Sequence, residues 1–154
     1  MFLSTSEHTL DSKNRVSAPA AYRAEVAGDP HQGLYVFPHP TEGFLEGGGE
    51  ALIASYKRKL ARLPVFDPRR RQLELLILGA ARRLDFDATG RITLPKDFIE
   101  RAGLNGRVVF VGRGERFEIW DAGAFDTALE EARAGARALL EDPAVLDLLG
   151  GDEE

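Results

Sequence analysis

HTLDSKNRVSAPAAY, from His8 to Tyr22, and LDFDATGRITLPKDF, from Leu84 to Phe98, are two versions of one segment. They align without a gap at an offset of 76 positions. The matched pairs include Asp11 with Asp87, Arg15 with Arg91, Val16 with Ile92, Ser17 with Thr93 and Pro19 with Pro95. Stacked-repeat architectures need three or more units to bury a continuous core. Two copies therefore indicate an internal duplication, with two related halves in one body.

The residues around each copy predict the same series of elements. Short β-branched runs stop just before Pro19 and Pro95, which places each Asp-x-x-x-Arg in a turn that loops out of a hairpin. Short helices follow at 19–27 and 95–102, each with proline in its first turn and a glycine after its end. Further strands are predicted at 34–37, 44–45, 108–111 and 117–120. Longer helices are predicted at 50–63, 68–82 and 122–140, the middle one with Leu73, Leu76, Ile77 and Ala80 on one face.

Composition limits the class of protein. With 154 residues, 44% of them hydrophobic, the chain can bury one core without disulfides or a structural metal. It has no cysteine, which excludes thiolate catalysis and is compatible with a reducing cytoplasm. The first residues lack a basic leader and an apolar run, and no stretch has membrane-spanning length. We expect a soluble, unexported protein without membrane partners.

Charge is unevenly distributed along the chain. The formal net charge is −5, yet six acidic residues and no lysine or arginine follow Arg137. Without those six negative charges the remaining chain would carry +1. Residues 57–83 hold nine basic residues against Asp67 and Glu74. A basic middle is thus separated from an acidic end, which permits an approach to nucleic acid despite the negative total.

The two motif copies and the closing VVFVGRGERFEIWD, from Val108 to Asp121, resemble the MraZ family of bacterial transcriptional regulators. The resemblance covers roughly residues 1–137. It implies an α+β fold of two tandem swapped-hairpin β-barrel units of the AbrB type, with flanking helices. The expected organisation is a first repeat with its long helix at 1–63, a connecting helix at 64–80, a second repeat at 81–137 and an acidic, mobile tail at 138–154.

The resemblance also implies a function. Members bind double-stranded DNA at the promoter upstream of their own gene, in the division and cell-wall cluster, and assemble into ring-shaped homo-oligomers. Their Asp-x-x-x-Arg loops contact the DNA. Transferred to this chain, the expected DNA-binding residues are Lys13, Asn14, Arg15, Thr89 and Arg91, with Asp11, Asp87 and Gly90 bracing the loops. The expected location is the cytoplasm, at the nucleoid.

Two departures from the family pattern bear on these expectations. Asn14 stands where the first motif usually has glycine, while Gly90 keeps the pattern in the second copy. Asparagine tolerates positive φ better than most residues, so we expect the turn to survive. Gly47, Gly48 and Gly49 replace an aromatic-rich stretch before the first long helix. That change leaves the packing of this helix, and its contacts with a neighbouring subunit, as open questions.

The chemistry of the loops supports two interpretations. The planar guanidinium of arginine pairs with a guanine edge or clamps phosphate, which fits Arg15 and Arg91 on tight turns. Alternatively, each aspartate and arginine form an ion pair within the loop that only braces it, and such surface pairs contribute little. With the family resemblance we predict both roles, in which aspartate braces the loop and arginine reads DNA.

Other functions lack support in the sequence. His8, His31 and His39 do not have metal-ligand spacing, and the run from Gly112 to Arg116 lacks the rest of a phosphate-binding motif, so an ordinary turn is predicted there. No catalytic arrangement stands out, and the acidic residues are expected mostly on solvated helix faces. The prediction is a non-enzyme with no cofactor, no metal and no small-molecule substrate. The run Arg69 to Arg71 is either a solvated helix start or a contact for phosphate or an acidic tail.

Two alternatives to the regulator remain at this point. One is an antitoxin-like autoregulator with the same barrel, in which residues 141–154 neutralise a toxin. The other is an oligomeric scaffold of the division machinery that does not bind DNA. Arginine at both position 15 and position 91 favours the regulator.

Overall fold

A computed structural model of the chain describes residues 1–150. Within that range it is an α+β structure whose strands pair antiparallel. It divides into two compact units, Met1–Ala122 and Gly123–Glu154, the second described as far as residue 150. No helix among the described residues is both long and apolar enough to cross a bilayer.

The elements of the first half are β1 (Thr5–Thr9), β2 (Arg15–Ser17), α1 (Ala20–Glu25), β3 (Gly33–Pro38), β4 (Leu45–Gly48), α2 (Glu50–Leu60) and α3 (Pro68–Leu76). Those of the second half are β5 (Arg82–Asp85), β6 (Arg91–Thr93), α4 (Lys96–Arg101), β7 (Arg107–Gly112), β8 (Phe117–Asp121), α5 (Ala122–Ala134), α6 (Ala136–Glu141) and α7 (Pro143–Gly150). The order of elements therefore repeats, as the duplicated segment predicts.

The two halves exchange strands. One sheet has the order β1-β7-β8-β4-β3-β5, so the first strand of each half pairs with the third strand of the other half. Strands β4 and β8 join the halves at the centre of this sheet. A second, two-stranded sheet pairs β2 with β6 and sets Val16 opposite Ile92. Neither half completes its own sheet.

The core follows from this exchange. Val16 and Ile92 are almost fully buried, together with residues of both halves of the large sheet. The rings of Phe2, Tyr22, Phe110 and Phe117 meet at centroid distances of 4.9–6.1 Å, mostly edge to face. Burial of such apolar side chains is the main term that stabilises a domain of this size. Residues from both halves share this one core.

The hairpin predicted around each Asp-x-x-x-Arg loop is wrong in its pairing. The loop does lie between two strands, and the backbone N–H of Asp11 closes it on the carbonyl oxygen of Arg15 at 2.9 Å. The flanking strands, however, pair with different partners, β1 with β7 and β2 with β6. Alternating sequence signals identify a strand but not its partner, which here comes from the other half.

All three of the longer predicted helices differ from expectation, and α2 ends at Leu60 instead of at 63. Helix α3 ends at Leu76; residues 77–80 form turns, and Arg82 already belongs to β5, which pairs with β3. Leu73 and Leu76 are more than a third exposed, and Ile77 is the buried residue of the predicted apolar face. The long helix predicted at 122–140 breaks at Gly135 into α5 and α6. Where an acidic tail is expected, helix α7 covers Pro143–Gly150, and residues 151–154 lie outside the described residues.

The three glycines before α2 permit close packing. A Cβ on Gly47 would lie 2.5 Å from the ring of Phe117, and one on Gly48 would lie 2.7 Å from the side chain of Leu52. Helix α2 buries Leu52 and Leu60. A larger residue at Gly48 would press against Leu52 of the helix, and one at Gly47 against Phe117 of the sheet. The departure from the family pattern is therefore compatible with a firmly packed first helix.

Two glutamates are buried instead of solvated. Glu46 and Glu118 lie opposite each other across β4 and β8 and are at most 7% exposed. Glu46 accepts hydrogen bonds from the Tyr56 hydroxyl and from Arg116, at 3.2 Å for the latter. Glu118 accepts from Arg113 at 2.9 Å and from the Trp120 indole at 2.8 Å. Burial and then the hydrogen bond to Glu46 raise the pKa of Tyr56 to about 12.

Candidate nucleic-acid interface

The first loop is organised around one carboxylate. Asp11 Oδ1 accepts hydrogen bonds from the backbone N–H groups of Lys13 and Arg15, at 2.9 and 2.8 Å. Asp11 Oδ2 accepts from Nε of the Arg15 guanidinium at 2.8 Å. A short acidic side chain that captures the backbone of the following residues is what an Asx turn requires. The aspartate therefore shapes the turn and orients the arginine together.

The second loop repeats this geometry. Asp87 Oδ1 accepts from the backbone N–H groups of Thr89 and Arg91, both at 2.9 Å, and Asp87 Oδ2 accepts from Arg91 Nε at 2.9 Å. The Thr89 hydroxyl also donates to Asp87 Oδ1, at 2.9 Å. Thr89, expected at the DNA, thus has its hydroxyl engaged in the brace. The expected bracing contacts of Asp11 and Asp87 are both present.

The two loops lie side by side. The N–H of Ala18, just after β2, donates to the carbonyl of Gly90, while the N–H of Leu94, just after β6, donates to the carbonyl of Asn14. Those distances are 3.1 and 2.8 Å. Arg91 Nη1 lies 4.0 Å from Asp11 Oδ2. Both guanidinium groups are therefore held on one surface of the β2–β6 pair, and each is about a third exposed.

Hydrogen bonds also favour the ionised form of the two loop aspartates, Asp11 and Asp87. The backbone N–H of Arg15 is the largest cause that lowers the pKa of Asp11, and the N–H of Arg91 has the same effect on the pKa of Asp87. Donors that bind the carboxylate favour its ionised form. Both aspartates are therefore anionic at neutral pH, and each remains attached to its arginine.

Both loops also require a left-handed residue before the arginine. Asn14 has φ +63° and Gly90 has φ +80°, as the alignment of the two copies predicts. A Cβ on Gly90 would additionally lie 2.5 Å from the guanidinium of Arg23. Asparagine thus adopts the left-handed conformation in the first loop, whereas a side chain in the second loop would also have to displace Arg23.

Arg23 is a component of the site that the sequence analysis missed. It extends from α1, and its Nη1 donates to the carbonyl of Ala18 at 2.7 Å, which places its guanidinium beside Gly90. The residue aligned with it in the second copy is Ile99, which packs on the core. Comparison of the two copies therefore gives no signal for this arginine.

The remaining candidates lie elsewhere. Lys13 is exposed at the tip of the first loop. His8 packs its ring on Phe110, His31 contacts Arg83, and His39 accepts from the backbone of its own turn. Across residues 1–150 no group of three or more acidic, histidine or cysteine side chains is arranged to hold a metal ion. The run 112–116 forms the turn between β7 and β8, as expected.

Substitutions at the two left-handed positions should have different effects on stability. Asn14→Gly should fold as stably as the parent, because glycine adopts this φ without strain. Gly90→Ala should lose about 1–2 kcal/mol of unfolding free energy, since alanine is disfavoured in the left-handed region and its Cβ must displace Arg23. Urea denaturation of both variants checks this. Equal stability of the two would mean that the loop relaxes freely at Gly90.

The lowered aspartate pKa values imply a pH dependence. A carboxylate with a depressed pKa in the folded state stabilises the fold above its ordinary pKa, and this contribution disappears as the pH falls through the depressed value. We expect Asp87→Asn to lower the melting temperature at pH 7 and to flatten its decline below about pH 4. Thermal melts from pH 7 to 2 measure this. A parallel decline in parent and variant would exclude Asp87 as a brace.

Fold and loops together define an α+β protein with an internal duplication that presents two aspartate-held arginines on one surface. A family model described as "MraZ protein, putative antitoxin-like" matches residues 77–144. A transcriptional regulator MraZ from Caulobacter vibrioides is 44% identical over 137 residues, which cover 89% of this chain and 87% of that relative. Proteins of the same name from Phenylobacterium zucineum and Parvibaculum lavamentivorans are 42% and 44% identical, covering 89% and 85% of this chain and 85% and 84% of the relatives.

The chain belongs to the MraZ family. Its named relatives are transcriptional regulators, which is not an enzyme class. The resemblance identified from the two motif copies is thereby confirmed.

Proposed function

We propose that this protein is a sequence-specific, DNA-binding transcriptional regulator that acts at the promoter of its own division and cell-wall gene cluster. The observation that carries the proposal is the pairing of Arg15 and Arg91 on adjacent loops, each oriented by its own aspartate. An arginine whose Nε is held by a carboxylate can still present its two Nη groups to a base edge or a phosphate. Lys13 and Asn14 add a charge and an amide beside them.

The architecture proposed for this activity is a tandem pair of swapped-hairpin barrel units, one at 1–63 and one at 81–137, joined by 64–80. The exchange of β1 and β5 between the halves supports it. One chain then presents two loops where a single-copy relative would need two chains. Residues 138–154, with acidic side chains and no basic residue, would be repelled by DNA.

The proposed mechanism is multivalent. The chain would form a ring-shaped homo-oligomer, and loops repeated around the ring would bind repeated promoter elements. Linking weak sites raises avidity by ~100-fold or more without a stronger single contact. Its proposed location is accordingly the cytoplasm, at the nucleoid. No cofactor or small-molecule substrate is part of the mechanism.

A gel-shift titration across a salt series tests this proposal. We expect binding to DNA from directly upstream of the gene, weakening steeply with salt, because each neutralised phosphate contributes a log-log slope of about −0.9. The control is DNA of the same length and composition in scrambled order. Equal affinity for both, at every salt concentration, would favour the scaffold alternative and contradict sequence-specific binding.

An antitoxin-like autoregulator is the second candidate, and the description of the matching family model favours it. In that case residues 141–154 would bind a toxin in addition to the operator contacts of the loops. Truncation after Leu140 distinguishes the two. In both cases the truncated chain should retain operator binding, with affinity unchanged or improved. If the protein is an antitoxin, the full-length chain should also co-purify with a partner that the truncated chain no longer binds.

A further inference from the structure

A phenylalanine is held outside the fold at the corner between α2 and α3. Phe66 is 94% exposed, and its neighbour Val65 is 62% exposed. We call these two residues the knob. Single exposed apolar residues are common on protein surfaces and need no explanation by themselves. The knob is of interest because the surrounding structure fixes the backbone that carries it.

The surrounding structure does keep it there. Pro64 and Pro68 flank the corner and restrict its backbone. The N–H of Asp67 donates to the carbonyl of Pro64 at 2.9 Å, and Arg70 donates to the carbonyl of Leu63 at 3.1 Å. The Asp67 side chain then caps α3 through the N–H of Arg69 at 2.8 Å. The corner is preorganised, so the knob would lose little conformational entropy on docking.

A cleft that would accept such a knob lies at the other end of α2. It measures about 470 Å³ and has an apolar floor formed by Phe2, Val26, Ala51 and Leu52. A volume of about 470 Å³ lies within the roughly 300–1,000 Å³ of pockets that hold small ligands, so the cleft has room for one phenyl ring.

The two surfaces carry opposite charge. Glu25, Asp29 and Glu115 line the cleft; the N-terminal ammonium of Met1 pairs with Glu25, and Arg116 pairs with Glu115 at 3.1 Å. Basic, exposed side chains precede the knob: Lys57, Arg58, Lys59 and Arg62. None of these four forms an ion pair with a residue in the described part of the chain. Opposite electrostatic potentials attract the knob to the cleft, and they disfavour contacts between two knobs or between two clefts.

A chain cannot fill its own cleft. Ala51 and Leu52 lie in the first turn of α2, while the knob follows its last turn, and an 11-residue helix spans about 16 Å. Because the knob and the cleft are both apolar and carry opposite charge, the partner that fits each of them is another copy. Two different patches that meet in this way make a head-to-tail contact, which closes into a ring when the rotation between copies permits.

We propose that the knob, Val65 and Phe66, docks into the acidic, apolar cleft of a second copy of this chain. This inference rests on the proposed function, because it specifies the contact that would build the ring. One knob covers far less than the roughly 800 Å² per partner of a stable interface. Assembly is therefore cooperative, with single contacts stabilised by closure of the ring.

The absence of cysteine makes a direct test available. Full-length Val65→Cys and Ala51→Cys variants, each with one thiol on an exposed residue, are treated with a short bismaleimide separately and as an equimolar mixture. Only the mixture should give a cross-linked dimer, and a chain with both substitutions should give a ladder of covalent oligomers. Leu75→Cys, 54% exposed on α3, is the matched control and should not cross-link to Ala51→Cys. Dimers of Val65→Cys alone, or none in the mixture, would overturn the proposal.

Phe66→Ala supplies a second measurement. The phenyl group of Phe66 makes almost no contact within its own chain, so the melting temperature should not change. Dissociation of the assembly should shift to roughly 30-fold higher protein concentration or more. Native mass spectrometry across a dilution series measures this. If the parent is an oligomer and Phe66→Ala remains one at the same concentrations, the knob is not the contact between copies, although the proposed ring still stands. A monomeric parent at all concentrations would overturn both, while operator binding is assayed separately.

Discussion

Replacing Arg15 with alanine is expected to abolish specific operator binding and to leave the melting temperature nearly unchanged. The Arg15 side chain is about a third exposed, and an ion pair near the surface contributes little to stability. A bidentate contact between arginine and guanine contributes ~1–3 kcal/mol of discrimination against the wrong base. Repetition around the proposed ring would multiply the loss, so even the lower value would remove measurable specificity.

The experiment measures operator affinity and thermal melting for Arg15→Ala beside three other variants. Arg107→Ala is the matched control, since that arginine pairs with Glu7 at 2.7 Å and is 74% exposed. Asp11→Ala should lower the melting temperature and weaken binding only as far as Arg15 loses its orientation. Arg91→Ala should resemble Arg15→Ala in kind but not necessarily in size. If Arg15→Ala binds normally and melts as early as Asp11→Ala, the arginine is a brace and the site assignment is wrong.

The second large effect is expected from the pair of strands beneath the loops. Ile92 is fully buried, lies opposite Val16 and belongs to the strand that begins at Arg91. Ile92→Ala should reduce the unfolding free energy by about 2–5 kcal/mol, because it removes buried methyl groups and leaves a cavity. That is a large fraction of the roughly 5–15 kcal/mol typical of a domain.

Ile92→Val is the matched control, with an expected loss of about 0.5–1.5 kcal/mol. Urea denaturation gives both values, and operator binding measured well below the melting temperature separates stability from recognition. Ile92→Val should bind as the parent does, because both loops keep their supports. An Ile92→Ala variant as stable as Ile92→Val would mean that the β2–β6 pair is not part of the shared core.

Much of the fold was predictable because the duplication repeats its local signals. Proline before each short helix, the β-branched runs and the left-handed position before each arginine are all local, and the structure has them where the sequence predicts. The pairing of strands was not predictable, since alternation of apolar residues is the same whether β1 pairs within its own half or with β7. The end of α3 was also missed, because the apolar pattern continues through residues 77–80, which form turns.

The hydrogen bonds within each Asp-x-x-x-Arg loop were predictable from the spacing of aspartate and arginine, but two other polar features were not. Arg23 has no basic counterpart at Ile99, so the comparison of copies hides it. From the sequence, Glu46 and Glu118 are expected to be solvated. In the structure the pairing of β4 with β8 brings them together, and Arg116 and Arg113 donate hydrogen bonds to them. Long-range arrangement decides the burial of a charged residue, and sequence spacing does not contain that information.

The exchange of strands also has a consequence for synthesis of the chain on the ribosome. Strand β1 pairs with β7, and its residue Thr5 faces Val111, 106 positions later. At ~5–20 residues per second, β1 waits roughly 5–20 s for its partner. During that interval its backbone groups are available to β7 of any neighbouring nascent chain, as in domain swapping. Expression at high ribosome density should therefore yield intertwined dimers, and slower initiation should suppress them.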